Sequence, residues 1–272
     1  MVPTISTNQV TQNRRKRLFD CELLEVDELV ARPELPPRGE TYRRQLVITI
    51  GGAFEYHVGR SVTWVDPSRI LFAEAHQSYV DHHVVPRTGH HSVIMAPTPD
   101  MMDEIWGDVA LPFTGRVRAC SLGVQRLVQC LRRASEPLQA QELGVAIMEQ
   151  CVAESRAVAA ADTRCVRRAK AALNDCPNGR LTLAEIATEL GVTPVYLTQC
   201  FKRSEGMPLY RYQTMLRLNR ALNQLPERDD ITDLAFELGF SSHSHFTAAF
   251  RSHLGLTPSM YRSAARSGRI GS

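Results

Sequence analysis

The sequence lacks the features that mark a membrane protein or a common type of enzyme. Aromatic residues make up only 7% of its 272 residues. No apolar run approaches the roughly 18 residues that a membrane-spanning helix needs. The sequence also contains no G-x-S-x-G nucleophile motif, no P-loop and no dinucleotide-binding fingerprint. What remains is a globular chain that is long enough for two domains and carries no recognisable catalytic motif.

The cysteines and the N-terminal residues indicate an intracellular protein. The 7 cysteines are odd in number and widely scattered, and no two form a C-x-x-C pair. This pattern argues against both a disulfide framework and a zinc site, so we interpret the cysteines as reduced packing residues of a cytoplasmic protein. The basic run at residues 14–17 is not followed by an apolar run of signal-peptide length. We predict that this run forms a disordered arm.

Charge is distributed unevenly along the chain. Residues 1–162 contain 17 Lys and Arg against 20 Asp and Glu, which gives a net charge of −3. Residues 163–272 contain 15 against 9, which gives a net charge of +6. A basic domain is the electrostatic signature of nucleic-acid binding, although a solvated surface can produce the same bias. The C-terminal part is therefore the candidate for nucleic-acid binding.

Residues 231–262 predict two short helices joined by a tight turn. The first helix leads into Gly239, which tolerates the left-handed backbone that ends a helix, and Ser242 can cap the second. The residues predicted to be buried by their helical spacing are Ile231, Leu234, Ala235, Leu238, Phe246, Ala249 and Phe250. The opposite face of the second helix is small and polar and ends in Arg251, as a helix in the DNA major groove requires. The pattern is that of a helix-turn-helix, and a helical hairpin inside a core is the alternative.

A second copy of this pattern lies at residues 181–208. Its positions precede those of the other copy by 48 residues up to the turn and by 49 residues after it. The matching residues are Leu183, Ile186, Ala187, Leu190, Gly191, Thr193, Leu197, Phe201 and Gly206. A helical segment at 209–225 joins the two copies. Such a repeat is hard to explain as a generic helical bundle.

With both copies, the chain resembles the C-terminal DNA-binding region of the AraC/XylS family of transcription regulators, over residues 163–266. The residues that carry the resemblance are the A-x-x-x-G turn from Ala235 to Gly239, Phe246, Phe250, Arg251 and the closing G-x-x-P-x-x-Y-R, which is Gly255, Pro258, Tyr261 and Arg262. The resemblance implies a regulator that binds double-stranded DNA. The first copy departs from it with Pro194 and Val195 at the start of its recognition helix, so we expect less polar base recognition there.

The N-terminal part predicts short β-strands separated by turns. A β-like run at 19–29 precedes a proline-rich loop at 32–38, and further strands are predicted at 44–49, 54–58, 62–65, 69–72, 79–85 and 92–95. This spacing is typical of an antiparallel barrel or sandwich. The layout is similar to the cupin-type barrel that often precedes AraC-type DNA-binding regions.

Two amphipathic helices are predicted after the strands, at 122–133 and 138–158. They can pack entirely on their own barrel, or one outer stripe can pack on a second copy and form a homodimer, as the family resemblance implies. We therefore predict an α+β chain. Residues 1–162 form a cupin-like antiparallel β-barrel with a helical pair, for sensing or dimerisation, and residues 163–272 form an all-α domain with two helix-turn-helix motifs.

Five histidines raise the alternative of a metal-dependent barrel enzyme with an added nucleic-acid module. They are His76, His82, His83, His90 and His91, with Glu74 and Asp81 as the nearby carboxylates. Adjacent histidines point to opposite faces of a strand, and the H-x-H…E…H pattern of cupin enzymes is missing. We therefore expect no catalytic residue, no metal and no cofactor. A regulator that needs no ligand is a further alternative.

Helical phase selects the candidate DNA contacts. Residues expected to meet base edges are Val195, Thr198, Gln199, His243, Ser244, Thr247 and Ala248. Residues expected to meet phosphates are Lys202, Arg203, Arg211, Arg251 and Arg262, of which the last two could instead be structural ion-pair partners.

Candidate effector contacts are strand residues that combine apolar area with a polar tip and are expected to point inward: Tyr42, Arg44, Tyr56, Trp64, Tyr79 and His82. Packing is the alternative role for each. The expected partners are double-stranded DNA, a small-molecule effector of unknown identity and a second copy of the chain, with no membrane.

Overall fold

The computed structural model describes residues 13–35, 37–83, 89–107, 113–153, 164–176 and 180–267. The N-terminal part consists of antiparallel strands: β1 Arg14–Asp20, β2 Leu24–Ala31, β3 Arg38–Glu40, β4 Gln45–Gly51, β5 Phe54–Val58, β6 Ser61–Val65, β7 Arg69–Ala73, β8 Ser78–His82, β9 His90–Pro97 and β10 Thr114–Ala119. They form a six-stranded sheet in the order β1-β2-β9-β4-β7-β10 and a four-stranded sheet in the order β3-β8-β5-β6. The predicted strands are present, except that the predicted end at residue 85 lies outside the described residues.

The basic run is part of a strand, so the prediction of a disordered arm is wrong. Strand β1 pairs with β2, and the β-like run at 19–29 is divided between these two strands. The reason is ionic pairing across the hairpin. Arg15 and Arg17 both contact Asp27, at 2.7 and 2.6 Å. This partner belongs to another strand and is not visible in the local pattern of charge.

Strands β4 and β7 of the six-stranded sheet are buried on both faces. Along β7, Leu71 faces the four-stranded sheet with Phe54 of β5. The neighbouring residues Ile70 and Phe72 point to the opposite face and pack on the helices of the N-terminal part. Those helices are α1 Pro99–Trp106, α2 Leu122–Leu131 and α3 Pro137–Ala153. Burial on both faces explains the continuous apolar runs of β4 and β7.

The predicted helical pair corresponds to α2 and α3. Helix α2 begins after Ser121, whose hydroxyl accepts a hydrogen bond from the amide of Val124. Helix α3 starts at Pro137 and is described as far as Ala153. The predicted continuation to 158 and the predicted domain boundary after 162 lie outside the described residues.

The C-terminal part is helical. Its helices are α4 Arg164–Asp175, α5 Leu183–Leu190, α6 Pro194–Glu205, α7 Leu209–Gln224, α8 Ile231–Glu237, α9 His243–Leu254 and α10 Pro258–Arg266, with a short 3-10 helix at Leu225–Glu227. We call α5 with α6 the first helix pair and α8 with α9 the second helix pair. Helix α7 joins them, as predicted for residues 209–225.

The two helix pairs belong to different apolar cores. The first helix pair packs with α4 and α7 around Phe201 and Tyr212, whose rings lie 5.3 Å apart. The second helix pair contributes Phe246 and Phe250 to a core that continues through α2 to the six-stranded sheet. The second helix pair is therefore packed directly against the N-terminal part.

A close backbone approach makes Gly52 sensitive to substitution. Its φ is 73°, and an added Cβ would overlap the carbonyl oxygen of Gly89. Gly59 is a matched control, since its φ is 56° but an added Cβ would meet nothing within 4 Å. We expect Gly59→Ala to lower the free energy of unfolding by about 1–2 kcal/mol through left-handed strain, and Gly52→Ala by roughly 1–3 kcal/mol more because the backbone must shift. Urea denaturation measures both values, and equal losses would contradict the close approach.

Candidate nucleic-acid interface

The second helix pair is defined by local caps. The Asp230 carboxylate accepts hydrogen bonds from the amides of Thr232 and Asp233 at 2.6 and 3.1 Å. These amide donors lower the pKa of Asp230, because they stabilise its charged form at the positive end of α8. Helix α8 ends before Gly239, which has a φ of 84°. The Ser242 hydroxyl then accepts a hydrogen bond from the amide of His245 at 3.1 Å, which starts α9.

The outward face of α9 forms a shallow groove of about 590 Å³. It is lined by His243, Ser244, Thr247, Ala248, Arg251, Ser252 and Thr257. The structure therefore brings together the four base-contact candidates of this helix and Arg251. Two lining residues, Ser252 and Thr257, were missed, although the sequence Thr257-Pro258 is itself a helix-start signal.

Individual side chains in this groove differ in their freedom to reach DNA. His243 is exposed and its Nδ1 lies 3.3 Å from the Thr232 hydroxyl. Arg251 is exposed and has no ion-pair partner among the described residues. Thr247 is only half-buried, but its hydroxyl oxygen is buried and lacks a hydrogen-bond partner in the described part of the chain. Its hydroxyl must rotate outward before it can contact a base.

The first helix pair has the same construction. Thr182 and Glu185 form a reciprocal capping box at the start of α5, and Gly191 ends that helix with a φ of 67°. The Thr193 hydroxyl accepts a hydrogen bond from the amide of Tyr196 at 3.2 Å, and Pro194 occupies the first turn of α6. Each predicted helix start and turn of this pair is present.

The outward face of α6 is more apolar than that of α9. Val195 is 66% exposed, and Gln199 is exposed without a side-chain hydrogen bond to any described residue. Thr198 is half-buried and donates a hydrogen bond to the Pro194 carbonyl oxygen at 2.8 Å. Tyr196, which is 48% exposed, was missed. Its spacing of three residues from Gln199 places it on the same helix face and could have revealed it.

The predicted phosphate contacts separate into two groups. Lys202, Arg203 and Arg211 are exposed beside the first helix pair, as Arg251 is beside the second. Arg262 instead donates hydrogen bonds to the carbonyl oxygens of Arg228 and Asp229, which holds the segment before α8. Arg262 therefore has a structural contact, as the sequence analysis allowed, but its partners are backbone carbonyl oxygens and not the side chain of an ion pair.

Helices α6 and α9 present no unpaired negative charge. Helix α9 contains no Asp or Glu, and the sole carboxylate of α6 is Glu205. The Glu205 side chain is only 4% exposed and is paired with Arg69. The outward faces of both helices are therefore neutral or positive, which suits a surface that approaches the phosphates of DNA.

The six predicted effector contacts do not form one site. Tyr56 and Tyr79 lie between the two sheets, with ring centroids 5.4 Å apart. Trp64 packs instead against Lys170 of α4, 5.9 Å from ring centroid to Nζ. The sequence predicts inward side chains for the whole set. This orientation is wrong for Trp64 and for the remaining three residues, Tyr42, Arg44 and His82.

Tyr42, Arg44 and His82 point outward in different surroundings. Tyr42 precedes β4 and is 84% exposed. Arg44 pairs with Glu74 at 2.7 Å, and both Tyr42 and Arg44 line an open cleft of about 380 Å³ next to Thr98 and Met102. His82 is exposed on the four-stranded sheet, where its ring lies 4.2 Å from that of His57.

The space between the sheets is almost filled by side chains. It leaves about 20 Å³, which is room for roughly one water molecule. Tyr56 Oη, Asp81 Oδ1 and His90 Nε2 are buried there without hydrogen-bond partners among the described residues. Burial raises the pKa of Asp81 well above its usual value, and burial together with His83 and His91 lowers the pKa of His90 to about 3. His90 is therefore uncharged at neutral pH, and burial favours the neutral form of Asp81.

The histidines do not converge as metal ligands. His91 of β9 lies 2.8 Å from Glu28, whereas His82 lies on the other sheet. His83 Nε2 is 3.0 Å from His90 Nδ1. No group of three or more His, Cys, Asp or Glu within the described ranges could hold a metal ion. None of the described helices combines the length and apolar character that crossing a membrane requires.

Comparison with known proteins identifies related chains. A family described as a helix-turn-helix domain matches residues 161–264. The probable transcription factor PqrA of Proteus vulgaris is 35% identical over 86 residues, which cover 31% of this chain and 70% of PqrA. The HTH-type transcriptional activator AarP of Providencia stuartii is 34% identical over 84 residues, which cover 30% of this chain and only 62% of AarP.

Two solved structures are similar to this chain, one over about a third of its length and the other over most of it. An AraC-type transcriptional regulator from Chromobacterium violaceum is 29% identical, with a TM-score of 0.35, and the match covers 37% of this chain and 91% of that one. ToxT from Vibrio cholerae is 11% identical, with a TM-score of 0.37, and the match covers 92% of this chain and 98% of that one.

A helical region that exposes neutral and basic helix faces, and that matches a helix-turn-helix domain, defines a DNA-binding protein. Its relatives PqrA and AarP are both named as regulators of transcription rather than as enzymes. The chain belongs to the AraC/XylS family of transcription regulators.

Proposed function

We propose that this chain recognises a specific double-stranded DNA sequence through two helix-turn-helix motifs, the first and second helix pairs, and thereby regulates transcription. The observation that carries the proposal is the groove on α9, where the predicted base contacts lie side by side on an exposed face without acidic residues. Helix α7, which has 16 residues and is about 24 Å long, joins the two recognition helices, and binding in successive major grooves would require them to lie roughly 34 Å apart.

The two motifs are expected to recognise bases in different ways. On α6, Gln199 can form two hydrogen bonds with adenine, while Val195 offers apolar contact to a thymine methyl group. On α9, His243 and Ser244 can bond to guanine or other base edges. Ala248 again offers only apolar contact. The proposal is therefore a composite site in which each helix pair reads one half.

Genome-wide mapping of the bound sites tests the proposed function. We expect the parent chain to occupy a limited set of sites that share a common sequence upstream of transcription units. Binding spread over the genome without a common sequence would contradict specific recognition and leave only phosphate attraction.

Two substitutions on α6 separate base recognition from phosphate binding. Gln199→Ala should weaken binding to a mapped site by about 1–3 kcal/mol and change binding to random DNA little, because it removes contacts with a base. Lys202→Ala should weaken both similarly and reduce the slope of log affinity against log salt by about one unit, because it removes one phosphate contact. Fluorescence anisotropy over a salt series measures both effects.

Either of two results would contradict the base contact assigned to Gln199 and the phosphate contact assigned to Lys202. In one, Gln199→Ala lowers specific and random binding equally. In the other, Lys202→Ala changes the base preference and leaves the salt slope intact. Since both side chains are exposed on the same helix, each variant is also the folding control for the other.

The proposal divides the chain at residue 162. Residues 163–272 would bind DNA, and residues 1–162 would form a cupin-like region for sensing or dimerisation. Helices α2 and α3 stay the predicted homodimer surface, and Leu138 at the start of α3 is 68% exposed. Sedimentation at several protein concentrations tests the dimer.

A regulator that binds chromosomal DNA must act in the cytoplasm of a bacterial cell, which is the location we propose.

A small-molecule effector is the second part of the proposal, and the outer cleft supports it better than the space between the sheets. Pockets that hold small ligands usually measure about 300–1,000 Å³. The cleft beside Tyr42, Arg44 and Met102 falls in this range at about 380 Å³, whereas the inner space does not.

Thermal shift measurements against a metabolite library test the effector site. A bound effector at 100 times its Kd should stabilise the parent by about 2.7 kcal/mol, and Tyr42→Ala should remove much of that gain. A compound that stabilises the parent and Tyr42→Ala equally, but not Tyr56→Phe, would move the site to the space between the sheets.

A further inference from the structure

A cluster of four buried charges joins the N-terminal part to the first helix pair. We call Asp66, Arg69, Lys170 and Glu205 the ion cluster. Arg69 and Lys170 contact the Glu205 carboxylate at 2.8 and 2.9 Å, and Lys170 lies 3.6 Å from Asp66. The exposed fractions of the four side chains do not exceed 4%. Two cations and two carboxylates balance each other there.

Neutral side chains also donate hydrogen bonds to the Asp66 carboxylate. Trp64 Nε1 and the Ser68 hydroxyl each donate to its carboxylate at 2.5 Å, and the Tyr212 hydroxyl donates at 2.7 Å. Ser68 lies in the same β6–β7 turn as Asp66, and Trp64 lies in β6 just before that turn. Tyr212 belongs to α7, so this turn is bonded to the helices from several directions.

The ion cluster holds α6 from the side opposite its DNA-facing surface. Glu205 is the last residue of α6 and follows the buried residues Leu197 and Phe201 at intervals of four. Gln199 and Lys202 lie on the exposed side of the same helix. A shift of the β6–β7 turn would therefore move the recognition helix without touching its base contacts.

The second helix pair is anchored on the N-terminal part at a different place. Asn219 and Asn223, near the other end of α7, both donate hydrogen bonds to the carbonyl oxygen of Ile50 in β4, at 2.8 and 3.0 Å. Phe246 and Phe250 extend the same contact into a shared core. The N-terminal part thus contacts the supports of both recognition helices, and α7 is not the only element that sets their spacing.

Buried ion pairs are a poor source of net stability, because desolvation of the charges offsets most of their attraction. Their directional bonds nevertheless define one arrangement of the groups that they join. A site that reads two DNA halves needs such an arrangement, since an error in the spacing of the helices weakens contact with one half.

We propose that the β6–β7 turn at residues 66–69 positions the first recognition helix for DNA, and that Arg69 does so through Glu205. Arg69 is a positioning residue that never touches DNA. The inference rests on the proposed function, because it requires that α6 reads one half of a composite site.

The test uses the full chain and duplex DNA that the parent selects from a random-sequence library. The half of the selected DNA that α6 contacts is identified with Gln199→Ala. It is the half in which this variant no longer prefers the selected bases. Footprinting and anisotropy then compare Arg69→Met, Glu205→Gln and the conservative Arg69→Lys. Arg167→Met is the matched control, because Arg167 also bridges the two parts, to Glu55 at 3.4 Å, but is 38% exposed.

We expect Arg69→Met and Glu205→Gln to bind the selected DNA about tenfold more weakly, with loss of protection confined to the α6 half-site. Arg69→Lys should recover part of the affinity, and Arg167→Met should bind as the parent does. Unchanged binding by both Arg69→Met and Glu205→Gln overturns the inference. Equal loss at both half-sites also overturns it, because general unfolding would produce that result. A parent chain that does not distinguish selected from random DNA contradicts the proposed function instead.

Discussion

Replacement of Phe250 by alanine is expected to lower the free energy of unfolding by about 3–5 kcal/mol, the cost of removing a fully buried aromatic side chain. Phe250 is 0% exposed. Its ring lies 5.7 Å from that of Phe246 and 5.8 Å from that of Tyr261. Tyr261 in turn donates a hydrogen bond to the Leu222 carbonyl oxygen at 3.0 Å, so a cavity at Phe250 weakens the contact between α9, α10 and α7.

Urea denaturation followed by circular dichroism measures this loss. Phe236→Ala is the matched control, since Phe236 belongs to the same helix pair but is 42% exposed, and it should cost less than about 1 kcal/mol. Because Phe250 shares a core with the six-stranded sheet, the β-structure should also melt earlier in Phe250→Ala. Unfolding of the helices alone, with the sheet as stable as in the parent, would show that the shared core contributes little.

Replacement of Lys170 by methionine is expected to lower the free energy of unfolding by about 3–5 kcal/mol, even though methionine has a similar shape. The side chain of Lys170 is 0% exposed, and removal of its charge leaves carboxylates in the ion cluster with too few cations. Lys202→Met, on the exposed side of α6, is the control and should change stability by less than about 0.5 kcal/mol. Equal stability of the two variants would mean that the ion cluster tolerates the loss of one of its two cations.

Acid sensitivity gives an independent measure of the same cluster. Burial raises the pKa of Asp66, but Lys170, Arg69 and the hydrogen bonds from Ser68 and Tyr212 outweigh it and lower the pKa to about 2. The unfolded value is about 3.9, so the charged Asp66 stabilises the fold by about 2–3 kcal/mol above that pH. This contribution is lost as the pH falls towards 2.

The loss of stability between pH 5 and pH 2 should therefore be smaller in Lys170→Met than in the parent, because the pKa of Asp66 rises when the positive charge of Lys170 is removed. Urea denaturation at a series of pH values measures the two slopes. Parallel slopes for parent and variant would show that Lys170 does not set the charge of Asp66.

The helices of the C-terminal part could be predicted from the sequence because their signals are local. Thr182 with Glu185, Thr193 and Ser242 each bond to backbone groups within three residues, so a short window of sequence contains the whole interaction. Turn glycines end the helices in the same local way. The exposed faces then followed from helical spacing, which is why the side chains that line the α9 groove were largely predicted as a set.

The N-terminal strands were predictable in position but less so in environment. Apolar runs such as β4 and β7 are visible as strands in the sequence, yet burial on both faces depends on helices that lie far along the chain. The strand at residues 14–17 was missed because its pairing depends on Asp27. The outward positions of Tyr42, Arg44 and His82 were missed because alternation along a strand does not show which face is inside.

By itself, the sequence determined that the chain contains a repeated helix pair, which side chains that pair exposes, and which family it resembles. Only the tertiary structure decided how the two parts meet. Arg69 and Glu205 are 136 residues apart, and Asp66 and Tyr212 are 146 apart. No periodicity connects residues at such separations, because their pairing depends on how the sheet and the helices pack and on the need of each buried charge for a partner.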